Sequence, residues 1–220
     1  MENEFREERD FSAEHDKFMA ETIQSYKDEI EKYSLEIDRG NESVNVYASL
    51  FQAYSALYKF TEKEKKYKCV NKEVVDNICA NLLSKVNEEI AQGKNIPLNY
   101  CHLAEIYDYK NDKNRALEYY NMAVNEDESY LSTRAEYKNY ALNDKNGALA
   151  DLNRALELTQ DPQEREYLRF QIDHIDIIRD TDKTIRSTNI QVFIYIAVLI
   201  GFIIYVFGGT IYQICKIFIK

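Results

Sequence analysis

From Asn189 to Cys215 the chain runs for 27 residues without a charge, as NIQVFIYIAVLIGFIIYVFGGTIYQIC. A helix rises about 1.5 Å per residue, so a bilayer core takes about 20 apolar residues. Ile190 to Phe207 alone supplies 18 residues, nearly all of them apolar. The alternative, a buried core helix, normally carries a polar stripe. A transmembrane helix over 189–215, in contact with lipid, is therefore expected. A short tail, 216–220, follows it. Tyr205 and Tyr212 suit an interface, Lys216 and Lys220 can snorkel to water, and Gly208-Gly209 loosens the helix near its exit.

Five basic residues precede the span (Arg165, Arg169, Arg179, Lys183 and Arg186) and two follow it. The positive-inside rule then places the large N-terminal region on the cytosolic side. The first ten residues, MENEFREERD, are acidic and polar, unlike a secretory signal or an Arg-rich transit peptide. The expected layout is a single-pass, tail-anchored membrane protein.

Before the span the composition is globular, and it favours helices. Two prolines and six glycines in 220 residues are too few for a turn-rich sandwich or barrel. A formal charge of −10 disfavours nucleic acid as a partner. Inside the globular region a pair of stretches repeats at a period of 32: NDKNRALE over 111–118 and NDKNGALA over 143–150. Each opens a helix with one small-large-small stripe, Ala116, Tyr120 and Ala123 in the first, Ala148, Leu152 and Ala155 in the second. Small residues let a neighbouring helix approach, and the large one fills the gap.

Upstream of Ala116 stands Tyr100-x2-Leu103-Ala104-x2-Tyr107. Joined to the stripe, this resembles the tetratricopeptide repeat, W-x2-L-G-x2-Y…A-x3-F…P. Tyr100 replaces the Trp, Ala104 the Gly and Tyr120 the Phe, and Glu128 stands where the Pro is expected. The unit from Pro97 to Tyr130 matches over 34 residues. The unit from Leu131 to Pro162 matches in its second helix, while its first (Leu131, Ala135, Tyr140) is two residues out of register. An earlier candidate, Tyr47-x2-Leu50-Phe51-x2-Tyr54, pairs with a helix over 72–92 carrying Cys79, Leu83 and Val86. The long basic connection from Lys59 to Asn71 reads as an insertion.

The resemblance implies an all-α, repeat-type solenoid. Its expected elements are an N-terminal helix in 1–42 and about three repeats in 43–162. A capping or connecting helix over 163–188 and the transmembrane helix follow. Within 1–42 the helical spacing spans 12–38, closed by Gly40. Asp161-Pro162-Gln163-Glu164 is a strong helix start. Ser187-Thr188-Asn189 is the expected break before the span.

Chemistry-bearing motifs are missing from the sequence. It contains no P-loop, G-x-G-x-x-G, G-x-S-x-G or H-E-x-x-H. His15, His102 and His174 are scattered, and His102 reads as a helix-surface or groove residue rather than a metal ligand. Cys69, Cys79, Cys101 and Cys215 show no C-x2-C spacing. Cys69 and Cys79 are separated by nine residues, but the second copy that paired C-x9-C helices require is missing. No catalytic residue, metal site, cofactor or small-molecule substrate is expected.

In tetratricopeptide proteins the first helices of the repeats line a concave groove for a peptide or partner helix. The resemblance carries this role to Asn45, Gln52, Glu105, Asp108, Tyr109, Tyr130, Tyr137 and Tyr140. Ala48, Ser55, Leu98, Cys101 and Thr133 lie on the same faces. It carries repeat packing to Leu103, Tyr107, Ala116, Tyr120, Ala123, Ala148, Leu152 and Ala155. Eighteen tyrosines in a Trp-free chain suit interfaces, and also cores. Members that dock acidic chaperone tails use a Lys/Asn/Arg clamp. Here the corresponding residues are Ala48, Gln52, His102, Tyr130 and Arg134, and only Arg134 fits. A basic or apolar partner follows.

Two functions remain open. One is an adaptor or scaffold that recruits a protein to a membrane. This layout is similar to that of the mitochondrial fission adaptor, which favours the mitochondrion. The other is an accessory subunit built into a large organellar or bacterial membrane complex.

Overall fold

The computed structural model describes the backbone of residues 2–62 and 65–218. It describes the side chains of 13–62, 66–185, 187–193 and 195–196. Among the described residues the chain is all-helical in class, with helices joined by short turns and no strands. Its helices are α1 (Glu2–Asp38), α2 (Val44–Glu62), α3 (Lys72–Ala91), α4 (Ile96–Tyr109), α5 (Lys113–Glu126), α6 (Leu131–Tyr140), α7 (Lys145–Leu158) and α8 (Pro162–Phe218). Short 3-10 turns lie at Lys65–Tyr67 and Glu128–Tyr130. The chain forms two compact units, residues 1–137 and 138–220.

In the first unit each helix from α1 to α5 packs against the next. The core joins Leu50, Phe51 and Leu57 of α2 to Val75, Leu82 and Val86 of α3 and to Leu103 and Ile106 of α4. Ile23, Tyr26, Ile30 and Tyr33 of α1 close it from outside. Apolar residues recur on one face of each helix, and burying those faces holds the helices together more than local propensity does.

The repeated NDKN segments are turns with a common design. Asn111 and Asn143 adopt left-handed backbone, at φ 62° and 54°, which asparagine tolerates better than most residues. The following aspartate then caps the next helix. Asp112 accepts from the Arg115 amide at 3.2 Å, and Asp144 accepts from the Gly147 amide at 2.9 Å. Gly40 ends α1 at φ 89°, with the Asn41 amide donating back to the Glu36 carbonyl at 3.0 Å.

Several boundaries differ from the sequence expectation. α1 begins at Glu2 rather than near residue 12, and α2 continues past Lys59 to Glu62. Farther along the basic connection, two residues reach α1. Lys66 pairs with Asp16 at 2.7 Å, and the Tyr67 hydroxyl donates to the same carboxylate.

In the second unit α7 packs against α8 through Ala148, Leu149, Leu152, Leu168 and Ile175, all buried. Asp161 caps α8, accepting from the Gln163 amide at 3.0 Å. Glu164 bonds the Thr159 hydroxyl rather than closing a capping box. α8 then runs 57 residues, so the expected break at Ser187-Thr188-Asn189 is absent. The threonines stay helical by bonding backward: Thr184 to the Asp180 carbonyl at 2.9 Å and Thr188 to the Thr184 carbonyl at 3.0 Å. Most of the 189–215 run, and the tail after it, lies outside the residues with described side chains. Among the described residues no helix is long and apolar enough to cross a membrane.

Candidate functional site: a tyrosine-walled cleft in the first unit

A cleft of about 310 Å³ opens where one stripe of α2 faces the end of α4. Phe51, Gln52, Ser55, Ala56 and Lys59 come from α2, and Glu105, Asp108 and Tyr109 from α4. Tyr120 of α5 and Tyr137 of α6 complete it. The α2 residues recur at helical spacing, so a single face supplies all five.

Its carboxylates are held by neighbours on both helices. Gln52 Nε2 donates to Glu105 Oε1 at 2.8 Å. The other oxygen of Glu105 lies 3.4 Å from His102 Nδ1. Lys59 Nζ donates to Asp108 Oδ2 at 3.2 Å. Lys59 is 55% exposed and Asp108 25%, so this ion pair is loosely held.

The aromatic wall is packed from behind. Phe51 and Tyr109 meet edge to face, with centroids 5.4 Å apart at 90°, a favoured geometry for two rings. The Tyr109 hydroxyl donates to Asp76 of α3 at 2.8 Å. Lys72 donates to the same carboxylate at 2.8 Å, and it leads Tyr109 in holding the Asp76 carboxyl below its usual range. Tyr120 and Tyr137 lie 4.8 Å apart, and the Tyr137 hydroxyl donates to the Lys113 carbonyl at 3.3 Å.

Burial dominates the titration of the groups around the cleft. It pushes the Cys101 thiol up to about 12, with the Glu105 charge adding to the effect. It pushes the Tyr137 hydroxyl up to about 12, assisted by Asp108. Tyr120 moves in the same direction, again chiefly through burial. Ordinary values are 9.0 for the thiol and 10.0 for tyrosine. Each group therefore ionises at higher pH in the native than in the unfolded chain. The native state should hold its full stability below about pH 9. It should lose stability as pH climbs toward about 12, because there the unfolded chain releases protons that the native chain retains. Urea midpoints measured across that range should fall steadily. The tyrosinate absorbance band of these buried rings should appear only as the helices melt. A midpoint flat from pH 9 to 12 would refute the burial of these groups.

Of the residues assigned to the groove from sequence, Gln52, Glu105, Asp108, Tyr109 and Tyr137 line this cleft. Asn45 is exposed in the first turn of α2 and Tyr130 is half-buried in a 3-10 turn, and neither lines it. Tyr140 is 76% exposed and belongs to the second unit. Ala48 and Cys101 are buried, while Leu98 and Thr133 are half-buried outside the lining. Of the packing residues, Leu103, Ala116, Tyr120, Ala123, Ala148 and Leu152 are buried and Ala155 is half-buried. Tyr107 is half-buried and stacks on Tyr119 at 5.3 Å. Phe51, Ala56 and Lys59 line the cleft without being expected there from sequence. The available signal is helical spacing: Ala56 lies four and Lys59 seven residues beyond Gln52, on its face.

Among the described residues no group of three or more His, Cys, Asp and Glu side chains is placed to hold a metal ion. The arrangement offers shape, aromatic surface and fixed carboxylates, which are the elements of a recognition site. Compared with known proteins, the chain matches no family model and no curated protein.

Proposed function

We propose that this chain is a non-catalytic, membrane-anchored helical-repeat protein. It acts as an adaptor or scaffold that holds another protein in the cleft between α2 and α4. The observation that carries this is the cleft itself, concave, walled by tyrosines and held by cross-helix bonds. The tetratricopeptide resemblance supports it, because first helices of such repeats form the binding face. The uncharged run 189–215 supports attachment to a membrane, and the layout analogy favours a mitochondrial one.

The second reading, a fixed accessory subunit of a membrane complex, draws on a different surface. Tyr167, Phe170 and Ile177 of α8 are 52%, 67% and 67% exposed. They recur at spacings of three and seven, an apolar stripe on one helix face.

One experiment separates the two. The tagged full-length chain is extracted in mild detergent and sized natively, and whatever remains bound is identified by mass spectrometry. A Ser55→Phe variant, which fills the cleft, is run beside it. An adaptor yields substoichiometric companions that Ser55→Phe removes. A subunit yields fixed-ratio membrane partners that Ser55→Phe leaves in place. A lone monomer that binds nothing would contradict both. Release of the chain from membranes by alkaline carbonate would contradict the anchor.

A further inference from the structure

We propose that the cleft receives a basic side chain, arginine before lysine, projecting from the partner segment. The inference rests on the cleft reading above and adds the chemistry of its occupant. Three features of the lining converge on a cation.

The first is charge. Glu105 and Asp108 are carboxylates, and among the described residues Lys59 is the one cation that lines the cleft with them. A carboxylate charge is left over at the site, in a chain of net charge −10 that draws cationic segments toward it. The second is the wall. Phe51, Tyr109, Tyr120 and Tyr137 line the cleft together with these carboxylates. Aromatic rings attract cations through their negative faces and offer little to anions. Arginine fits better than lysine. Its guanidinium is planar, sheds water more easily, stacks on rings and can bond a carboxylate through two N–H groups.

The third is Lys59. Its ammonium occupies Asp108 in the free protein through an exposed, weakly held pair. Asp108 is therefore satisfied while the cleft is empty, and a partner cation must displace Lys59 to reach it. Lys59 acts as a built-in competitor. Glu105 is different. Gln52 donates to one of its oxygens at 2.8 Å and His102 Nδ1 lies 3.4 Å from the other, so among the described residues an incoming cation meets no lysine or arginine to displace there.

This predicts effects of opposite sign on one site. The full-length chain, held in detergent micelles, is panned against a displayed library of random heptapeptides. Enriched peptides are then measured singly by fluorescence anisotropy. The expected peptides carry arginine beside an apolar residue. Changing that arginine to glutamine should weaken binding about tenfold, and changing it to lysine should do so less. Glu105→Gln and Asp108→Asn should each weaken binding about tenfold. Lys59→Met should tighten it severalfold, a gain that misfolding cannot imitate. Enriched peptides that are neutral or acidic but still blocked by Ser55→Phe would overturn the basic-residue proposal and leave the cleft reading standing. So would basic peptides indifferent to Glu105, Asp108 and Lys59. Peptides unaffected by Ser55→Phe, or no enrichment at all, would overturn both.

Discussion

Replacing Lys138 with methionine is expected to destabilise the unit formed by residues 138–220 by about 3 kcal/mol. Lys138 Nζ lies 2.8 Å from Asp151 Oδ2, and the two side chains are 16% and 7% exposed. Asp151 sits on the buried face of α7 with Ala148 and Leu152. Methionine keeps much of the length of the lysine stem but removes the ammonium that lies 2.8 Å from a buried carboxylate. The desolvation of that carboxylate, rather than the lost attraction, sets the size of the effect. The double variant Lys138→Met/Asp151→Leu removes the buried carboxylate as well and should recover most of the loss. Urea unfolding followed by helix circular dichroism measures both. A single variant within about 0.5 kcal/mol of the parent, the usual range for surface changes, would mean that the pair is solvated. A double variant as weak as the single would show that the ion pair itself, rather than the buried carboxylate that remains, carries the stability.

Parts of this fold are legible in the sequence and parts are not. The NDKN turns are legible because their chemistry is local: a left-handed Asn and a capping Asp need nothing from the rest of the fold. The small-large-small stripes of α5 and α7 are legible because 3.6-residue periodicity leaves them no second face. The cleft is only half legible. Gln52, Glu105 and Asp108 come from the groove positions that the tetratricopeptide resemblance implies. Lys59 is hidden in the charged stretch KFTEKEKKYK, whose composition reads as a linker although its first four residues are helical. The tyrosines are the harder case. Residue type cannot say which hydroxyl finds a partner, and those of Tyr109 and Tyr137 are bound to Asp76 and the Lys113 carbonyl. Both therefore belong to the scaffold as well as to the cleft, and alanine there would disturb folding and binding together. Tyr137 and Tyr140, three residues apart on a ten-residue helix, are 8% and 76% exposed. A register uncertain by one residue turns a side chain by about 100° and cannot separate them. The unbroken passage of α8 through Ser187-Thr188-Asn189 has the same kind of cause, hydroxyls that break a helix in one context and bond back to it in another.

Phe51→Ala should cost about 4 kcal/mol, the largest effect expected of a single truncation in the first unit. Phe51 is 2% exposed and belongs both to the α2–α3–α4 core and to the cleft lining. Removing the ring deletes apolar contacts to its neighbours in the core and leaves a void that close-packed helices only partly fill. It also removes the edge-to-face support of Tyr109, whose hydroxyl is then held to Asp76 by a ring free to tilt. Phe51→Leu keeps most of the volume and should cost no more than about 1.5 kcal/mol. The pair thus separates filling from aromatic contact. If the cleft is a rigid preformed receptor, Phe51→Leu should still fold but lose the near-ultraviolet circular dichroism of an ordered Tyr109. It should also bind the peptides selected on the parent severalfold more weakly. Equal affinity for both proteins would mean that the wall is held by Tyr120 and Tyr137 alone. A Phe51→Ala loss below about 1 kcal/mol would mean that α2 and α4 close over the gap, in which case the cleft is shaped by the helices' freedom to approach rather than by the side chains between them.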